Sequence, residues 1–238
     1  MITPDASQAP VPQRPARRVA LRAAPVVLVT GFEPFAGEPV NPSQQVAMAL
    51  HGLEVAGHAV VGAVLPCRFG ASRRRLDALL QRHRPRLVVA LGQAARPEIS
   101  VERVAINVDD ARIADNAQRQ PVDRPVIRGA PAAYFATLPI KAVADTLRRA
   151  GLPAQVSQSA GTFVCNHVFY ALMHRLATDP AHAGVRGGFV HLPLLDEQAQ
   201  RLGGVGMPLP LQVAAVRLAL LECLQREHDL RVAAGAVD

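Results

Sequence analysis

Short apolar runs alternate with helical patterns along most of the chain, and this alternation restricts the possible folds more than any other feature. Residues 26–30 (VVLVT), 86–91 (RLVVAL) and 188–192 (GFVHL) have the apolar, β-branched character of strands that are buried on both faces. Further strands are predicted over residues 58–65, 101–107 and 155–160. Strands separated by helices form a mainly parallel sheet. The sequence therefore predicts an α/β fold, a single three-layer domain with a mainly parallel twisted sheet and helices on both faces.

Capping residues and apolar stripes predict the helices between these strands. Asn41 is a good N-cap with Pro42 at the first helical position. Apolar residues then recur at helical spacing, at Val46, Ala49, Leu50 and Leu53. Pro139 begins another predicted helix, which Gly151 ends. Three more helices are predicted over residues 71–83, 166–178 and 209–228.

The chain ends and the cysteine count indicate where the folded part lies and which compartment suits it. Residues 1–24 are rich in Pro, Ala and Arg and lack the apolar region of a secretory signal. We expect a disordered tail over residues 1–24 and one folded domain over residues 25–238. Three cysteines cannot make an even disulfide framework, and no apolar run approaches the roughly 18–20 residues that span a bilayer. These features predict a soluble, cytoplasmic protein.

The basic net charge does not indicate nucleic-acid binding. The chain has 26 Lys and Arg against 19 Asp and Glu, a formal charge of +7, but Lys141 is its one lysine. Such a bias towards arginine is typical of a compositional preference, and aromatic residues are not interleaved with the cations as stacking on bases requires. The acidic residues Asp109, Asp110 and Asp115 lie in a long polar stretch without histidines at ligand spacing. We expect a solvated or Arg112-paired loop there, and no metal or other cofactor.

Residues that follow the strands are the candidates for chemistry, because open α/β sheets bind ligands beyond the carboxyl ends of their strands. Cys165 is predicted at a strand-to-helix turn, where the helix dipole and free N–H groups lower a thiol pKa and can hold an oxyanion. His191 ends a strand and is the candidate base. Glu102 is a charge inside the apolar run VERVAIN. It is either an edge-strand charge paired with Arg103 or the carboxylate that orients His191.

Three long segments of this chain resemble pyroglutamyl peptidase I, also called pyrrolidone-carboxylate peptidase, a family of cysteine peptidases. They are VLVTGFEPFAGEPVNPS, ERVAINVDDARIADN and SQSAGTFVCNHVFYALMH, and they stand in the same order in the chain. The resemblance implies that the protein removes N-terminal pyroglutamate (5-oxoproline) from peptides through a thioester acyl-enzyme. It implies Cys165 as the nucleophile, His191 as the general base and Glu102 as the residue that orients His191. A homo-oligomer, a tetramer, is implied as well.

The resemblance also implies a pocket for the pyroglutamyl ring. Its expected members are Phe32, Phe35, Gln93, Ile113 and Phe163. This chain departs from the family pattern at two places. Ala36 stands where GFEPFGG has its first glycine of the pair, and the segment between Gln93 and Glu102 is one residue shorter than usual. If Ala36 has a positive φ, its methyl group costs about 1 kcal/mol.

Two other functions stay open at this point. The same residues would serve another α/β cysteine amidohydrolase that acts on a different lactam or amide. A homologue that has lost turnover through the shortened segment would instead be a binding protein for pyroglutamyl peptides. A reactive Cys165 thiol speaks against the second alternative, since a thiol without activation stays protonated in mild acid.

Overall fold

Seven strands form the central sheet of the computed structural model, which describes residues 24–235. Along the chain they are β1 (Val26–Phe32), β2 (Glu54–Val55), β3 (His58–Leu65), β4 (Leu87–Gln93), β5 (Ile99–Glu102), β8 (Ala154–Ser157) and β9 (Arg186–Leu192). Two shorter strands, β6 (Val104–Ile106) and β7 (Ala133–Phe135), form a separate antiparallel pair. The order in the large sheet is β2-β3-β1-β4-β9-β5-β8.

Four neighbouring strands of this sheet, β3, β1, β4 and β9, run parallel to one another. β5 runs antiparallel to β9, and β8 is parallel to β5. The prediction of a mainly parallel sheet in an α/β fold is confirmed. The reversal at β5 matters for the site. Because β5 is antiparallel to β9, the carboxyl ends of the two strands lie at opposite edges of the sheet, and a β5 residue meets the end of β9 across the strand pair.

Helices cover both faces of the sheet. They are α1 (Pro42–Leu50), α2 (Ala71–His83), α3 (Ile140–Arg149), α4 (Val164–Thr178), α5 (Asp196–Leu202) and α6 (Leu209–Gln225), with a short 3₁₀ turn at Pro180–His182. Alternate side chains of each strand point to opposite faces. Val27 and Val29 of β1 therefore pack with α1, α3 and α6, whereas Leu28 packs with α2 and α4. Within the described residues, no helix is long and apolar enough to cross a membrane.

Most predicted elements are present, with shifts at their ends. The strand over residues 58–65 and the helix over residues 71–83 have the predicted bounds. The stripe of the first helix is wrong in part, because Ala49 is exposed and Leu53 lies outside the helix with 41% exposure. The helix ends at Leu50, since the next residue is extended and Gly52 turns the chain with a φ of 82°. The predicted tail, apart from Ala24, lies outside the described residues.

The predicted strand over residues 101–107 is wrong, because the chain changes partner in the middle of that run. The N–H of Arg103 donates to the carbonyl of Ser157 beside the large sheet, and the carbonyl of Arg103 accepts from Ala136 N–H beside the small one. β5 therefore ends at Glu102 and β6 begins at Val104. An apolar run shows that a segment is extended and buried, but it does not show which strands it pairs with.

Polar side chains organise the long stretch that joins β6 to β7. Asp115 accepts hydrogen bonds from the backbone N–H groups of Phe69, Ala117 and Arg119. Asp109 contacts the imidazole Nδ1 of His167 at 2.9 Å. Both carboxyl groups are buried and occupied by these contacts. The expectation of a solvated or Arg112-paired loop is therefore wrong for Asp109 and Asp115.

The turn after β1 contains a strained residue that a glycine would relieve. Ala36 has a φ of 54° and is exposed, and Gly37 follows with a φ of 78°. An L-residue in the left-handed region has a conformational free energy about 1–2 kcal/mol less favourable than glycine has there. We expect Ala36→Gly to raise the melting temperature by roughly 2–4 °C, the shift that corresponds to about 1 kcal/mol in a chain of this size. Thermal unfolding followed by circular dichroism measures it.

The matched control is Ala49→Gly, on the exposed face of α1. There the same change removes helix propensity and should lower the melting temperature, because glycine costs about 1 kcal/mol in a helix interior. A melting temperature that falls in both variants would show that the turn at Ala36 is not strained.

Candidate active site

One face of the sheet near the carboxyl ends of β4 and β9 brings the predicted thiol and imidazole together. Gly92 of β4 is paired in register with His191 of β9, so both residues present the same face. A Cβ atom on Gly92 would lie 2.9 Å from the Sγ atom of Cys165 and 2.8 Å from the ring of Phe189. The Phe189 and His191 rings lie 4.9 Å apart between centroids. The thiol therefore lies against the Gly92 backbone, on the face that carries His191.

The first turn of α4 holds Cys165 at this place. The helix begins at Val164, two residues before the predicted start, and Cys165 is its second residue. Buried Asn166 secures the turn, since its amide donates to the carbonyls of Ile106 and Val108 and accepts from Ile106 N–H. N–H groups in the first turn of a helix have no partner within the helix. They are available to an oxyanion that forms beside the thiol.

The protonation state of the thiol differs from the prediction. Burial raises the pKa of Cys165, the neighbouring Cys67 thiol and the Glu102 carboxyl raise it further, and Arg96 opposes them. Loss of water around the sulfur disfavours the charged thiolate. The prediction of a lowered pKa is wrong, and the resting thiol holds its proton until a base removes it.

His191 and Glu102 form a buried pair beside this thiol. The Nδ1 atom of His191 lies 2.7 Å from Oε1 of Glu102, and the two residues are 4% and 0% exposed. Ser100 of β5 is paired with His191, and Glu102 follows two residues later on the same face. When Nδ1–H donates to the carboxylate, Nε2 of the neutral ring is free to accept a proton. Of the two interpretations of Glu102, the contact with His191 is present, whereas Arg103 bonds to Gln158 and Ala234.

The five residues predicted to enclose the pyroglutamyl ring are found in three groups. Phe35 and Phe163 lie 6.1 Å apart between ring centroids. Phe32 is 2% exposed, and its ring centroid lies 6.4 Å from that of Phe189. The Phe189 ring borders the same gap at Gly92 as the thiol. Gln93 accepts a hydrogen bond from Gln198, and Ile113 is 38% exposed on the long stretch.

Comparison with known proteins identifies the family. The family model described as pyroglutamyl peptidase matches residues 26–226. Pyrrolidone-carboxylate peptidase 1 of Ralstonia nicotianae is 55% identical over 213 residues, which are 89% of this chain and 98% of that protein. This chain belongs to the pyroglutamyl peptidase family. The pyrrolidone-carboxylate peptidase of Yersinia pestis is also 50% identical over 213 residues, with the same shares of both chains.

Solved structures of pyroglutamyl peptidases have the same fold. The crystal structure of pyroglutamyl peptidase I from Bacillus amyloliquefaciens superimposes with a TM-score of 0.85 at 38% identity, covering 88% of this chain and 100% of that one. A mutant pyrrolidone carboxyl peptidase from Pyrococcus furiosus gives a TM-score of 0.81 at 39% identity, covering 84% and 98%. The resemblance noted in the sequence is thereby confirmed.

Two residues that contact the predicted site residues were not predicted from the sequence. Arg96 contacts Glu102 at 3.2 Å, although its sequence context indicates only an irregular segment. Phe69 packs edge-on against Phe163, with 5.5 Å between ring centroids. Phe35, Phe163 and Phe69 together form an aromatic wall. Phe69 lies in the turn before α2, where an aromatic residue would have been the available signal. Cys67 and Cys223 are 3% and 1% exposed.

The contact at Gly92 predicts that even a methyl group there disturbs the site. In Gly92→Ala, the new Cβ would crowd both Cys165 Sγ and the buried Phe189 ring, so one of them has to move. A displacement of about 1 Å in a reacting group can cost on the order of 10²-fold in rate. We expect a fall in kcat of that order, measured as turnover of a peptidase substrate by a protein whose circular dichroism spectrum is unchanged.

Gly187→Ala is the matched control, because its Cβ would meet Leu176 Cδ1 at 2.6 Å at the opposite end of β9. This variant should lose stability yet retain kcat. Equal losses of kcat in the two variants would contradict a specific role of the gap at Gly92.

Proposed function

We propose that this protein is a cysteine peptidase that removes N-terminal pyroglutamyl residues from peptides, with Cys165 as nucleophile, His191 as general base and Glu102 as the residue that orients His191. The observation that carries the proposal is the buried hydrogen bond between Glu102 and His191 beside a thiol in the first turn of α4. It occurs in a chain of the pyroglutamyl peptidase family, whose named members act on pyrrolidone-carboxylate. Without the family, the same geometry would support any cysteine amidohydrolase.

The proposed reaction proceeds in two halves. His191 Nε2 takes the Cys165 proton as Sγ attacks the pyroglutamyl carbonyl carbon, and N–H groups of the α4 turn hold the resulting oxyanion. As the tetrahedral intermediate collapses, the C–N bond breaks and the imidazolium protonates the leaving amine. The second half begins with the thioester. His191 then removes a proton from water, hydroxide attacks the thioester, and free pyroglutamate leaves as the thiol is restored.

The raised thiol pKa determines how the charges develop in this reaction. Because burial keeps Cys165 protonated, the thiol is neutral at rest, and the proposed reaction needs an imidazole nitrogen that can accept its proton. The ion pair arises only when the proton moves to His191 during attack. Buried Glu102 then faces a new positive charge at 2.7 Å, and it stabilises the imidazolium as the aspartate does in serine peptidases.

The aromatic wall suits a substrate end that carries no charge. Pyroglutamate has no free amine, so recognition rests on the shape of the ring and on a few amide hydrogen bonds. We infer that Phe35 and Phe163, with Phe32 beside the thiol, enclose the ring. Gln93 would supply an amide near the lactam, and Ile113 would close the outer wall. A peptide with a charged N-terminus would have to move its ammonium group from water to a place against these rings, which is unfavourable.

We extend the proposal to the setting of the enzyme. All three cysteines are free, and a catalytic thiol keeps its reactivity in a reducing compartment such as the cytoplasm. A homo-oligomer, a tetramer, follows from the resemblance to the family. Sedimentation of the purified chain measures that mass, and a monomer at micromolar concentration would contradict it.

The first test of the proposal is hydrolysis of chromogenic pyroglutamyl, alanyl and glutamyl amides. We expect the wild type to cleave only the pyroglutamyl compound, because the other two place a charged amine in the aromatic pocket. Cys165→Ala should abolish cleavage while the melting temperature changes little, since the thiol is the bond-forming atom. Burst release of the chromophore would report the acyl-enzyme.

Cys223→Ala is the control for a lost thiol, since Cys223 is 1% exposed on α6 and packs on the opposite face of the sheet. It should keep most of the activity. Substantial turnover by Cys165→Ala would disprove the cysteine mechanism, and cleavage of alanyl amides would favour a broader amidohydrolase. A wild type that binds pyroglutamyl peptides without turnover would favour the binding protein.

A second test concerns the carboxylate. Glu102→Gln keeps the shape of the side chain but removes the charge that stabilises the imidazolium. We expect kcat to fall by a factor on the order of 10–10⁴, with the orienting aspartate of serine peptidases as the upper bound. KM should change little, because Glu102 is behind His191 and does not contact the ring. Steady-state kinetics would assign Glu102 to binding instead if KM rose at an unchanged kcat.

A further inference from the structure

Arg96 contacts the same carboxylate oxygen of Glu102 that His191 contacts. Its Nη1 atom lies 3.2 Å from Oε1 of Glu102, the same oxygen that His191 Nδ1 contacts at 2.7 Å. Nη1 also donates to Ser157 Oγ at 3.1 Å, and Nη2 donates to the carbonyl of Ser159 at 3.3 Å. Three acceptors on two strands and the following turn therefore fix the guanidinium group beside the carboxylate.

We propose that Arg96 is a positioning residue of the reaction, which holds Glu102 ionised and keeps the resting His191 imidazole neutral, so that His191 can accept the Cys165 proton. This inference rests on the proposed roles of Cys165, His191 and Glu102. It concerns the electrostatic balance of these groups, since Arg96 itself has no place among the reacting atoms.

The burial of Glu102 explains why such a cation is needed. The residue is 0% exposed, and among the described residues its Oε2 atom has no hydrogen-bond partner. An ionised carboxylate in this environment requires a counter-charge, because burial of an unpaired charge is strongly unfavourable. If Arg96 were absent, the imidazole would be the nearest group able to supply it. The Glu102–His191 pair would then bind a proton more tightly, whichever of the two residues carries it.

The position of the guanidinium group also opposes protonation of the imidazole directly. Because Nη1 and Nδ1 contact the same oxygen, they lie within about 6 Å of each other, where two positive charges still repel at protein-like dielectric constants. The Arg96 side chain is 36% exposed, so water screens part of this effect. The charge acts on the nucleophile too, because Arg96 lowers the pKa of the Cys165 thiol while Glu102 raises it.

The charged and titratable groups around the Glu102–His191 pair and the Cys165 thiol come from four places in the chain. They are Glu102 on β5, Arg96 in the segment between β4 and β5, Cys165 on α4 and Cys67 beyond β3. Arg96 is the one cation among these four groups. Its removal should therefore shift the proton affinities of the imidazole and the thiol in the same direction, upward.

The experiment compares Arg96→Gln, Arg96→Lys and the control Arg103→Gln over pH 5–9. Two quantities are measured, kcat/KM for a pyroglutamyl amide and the rate of Cys165 alkylation by iodoacetamide, read by mass spectrometry. In Arg96→Gln we expect the acid limb of kcat/KM to move up by roughly one pH unit and the alkylation rate at each pH to fall about tenfold. Below that limb kcat/KM falls about tenfold, while KM changes little. Arg96→Lys should show little of either change, because it keeps the charge.

Arg103→Gln removes the same charge next to Glu102 in the chain, but Arg103 bonds to Gln158 and Ala234 instead. Its pH profiles should match the wild type. Unchanged profiles in Arg96→Gln, with or without a lower melting temperature, would overturn the proposal and leave Arg96 a structural role. The alkylation profile does not depend on hydrolysis, so it decides the role of Arg96 even if the protein fails to cleave pyroglutamyl amides.

Discussion

The contact between the Cys165 thiol and the backbone of Gly92 is the constraint around which the site is built. Any side chain at Gly92 would occupy the position of the sulfur or of the Phe189 ring. The first turn of α4 can therefore approach the sheet only where a strand has no side chain. Because Gly92 is paired with His191, the same close approach puts the thiol on the face of the imidazole. One packing requirement thus determines both where the helix begins and which histidine it meets.

Water exclusion at this contact sets the electrostatics of the site. Burial raises the pKa of the Cys165 thiol and makes an unpaired charge on Glu102 unfavourable. Charging either group therefore costs free energy. Arg96 is the cation that contacts Glu102, and its side chain is partly exposed to solvent. Such an arrangement favours transfer of the Cys165 proton during the reaction over a thiolate–imidazolium pair that exists before the reaction begins. In the proposed reaction the helix N-terminus serves the oxyanion rather than a resting thiolate.

The sequence-based predictions succeeded where a local pattern determines the result. The strand at His58–Leu65 and the helix at Ala71–His83 have their predicted bounds, because alternation and stripe are properties of the segment itself. Cys165 and His191 were singled out by their places at a helix start and a strand end, and the structure brings both to one face of the sheet. The failures concern partners. The division of residues 101–107 between two sheets depends on the hydrogen bonds that Arg103 donates to Ser157 and accepts from Ala136, which no local pattern reveals. Arg96 was missed for the same reason, since its acceptors lie on distant segments of the chain.

The proposed pocket is held together mainly by polar side chains that connect separate loops. Glu33, which lies between the proposed pocket residues Phe32 and Phe35, accepts hydrogen bonds from Asn116 and from the N–H of Cys67. Asp115 binds the N–H of Phe69, and Thr162 exchanges hydrogen bonds with Asp110.

These contacts join the turn after β1, the turn before α2, the long stretch after β6 and the start of α4. Buried polar groups are stable only when they are satisfied, so a shift of one loop leaves donors unpaired in its neighbours. The four segments are therefore coupled, and the aromatic wall that they carry is largely formed before any ligand binds. A preformed wall suits a rigid five-membered ring, since little side-chain entropy remains to be lost when such a ligand enters.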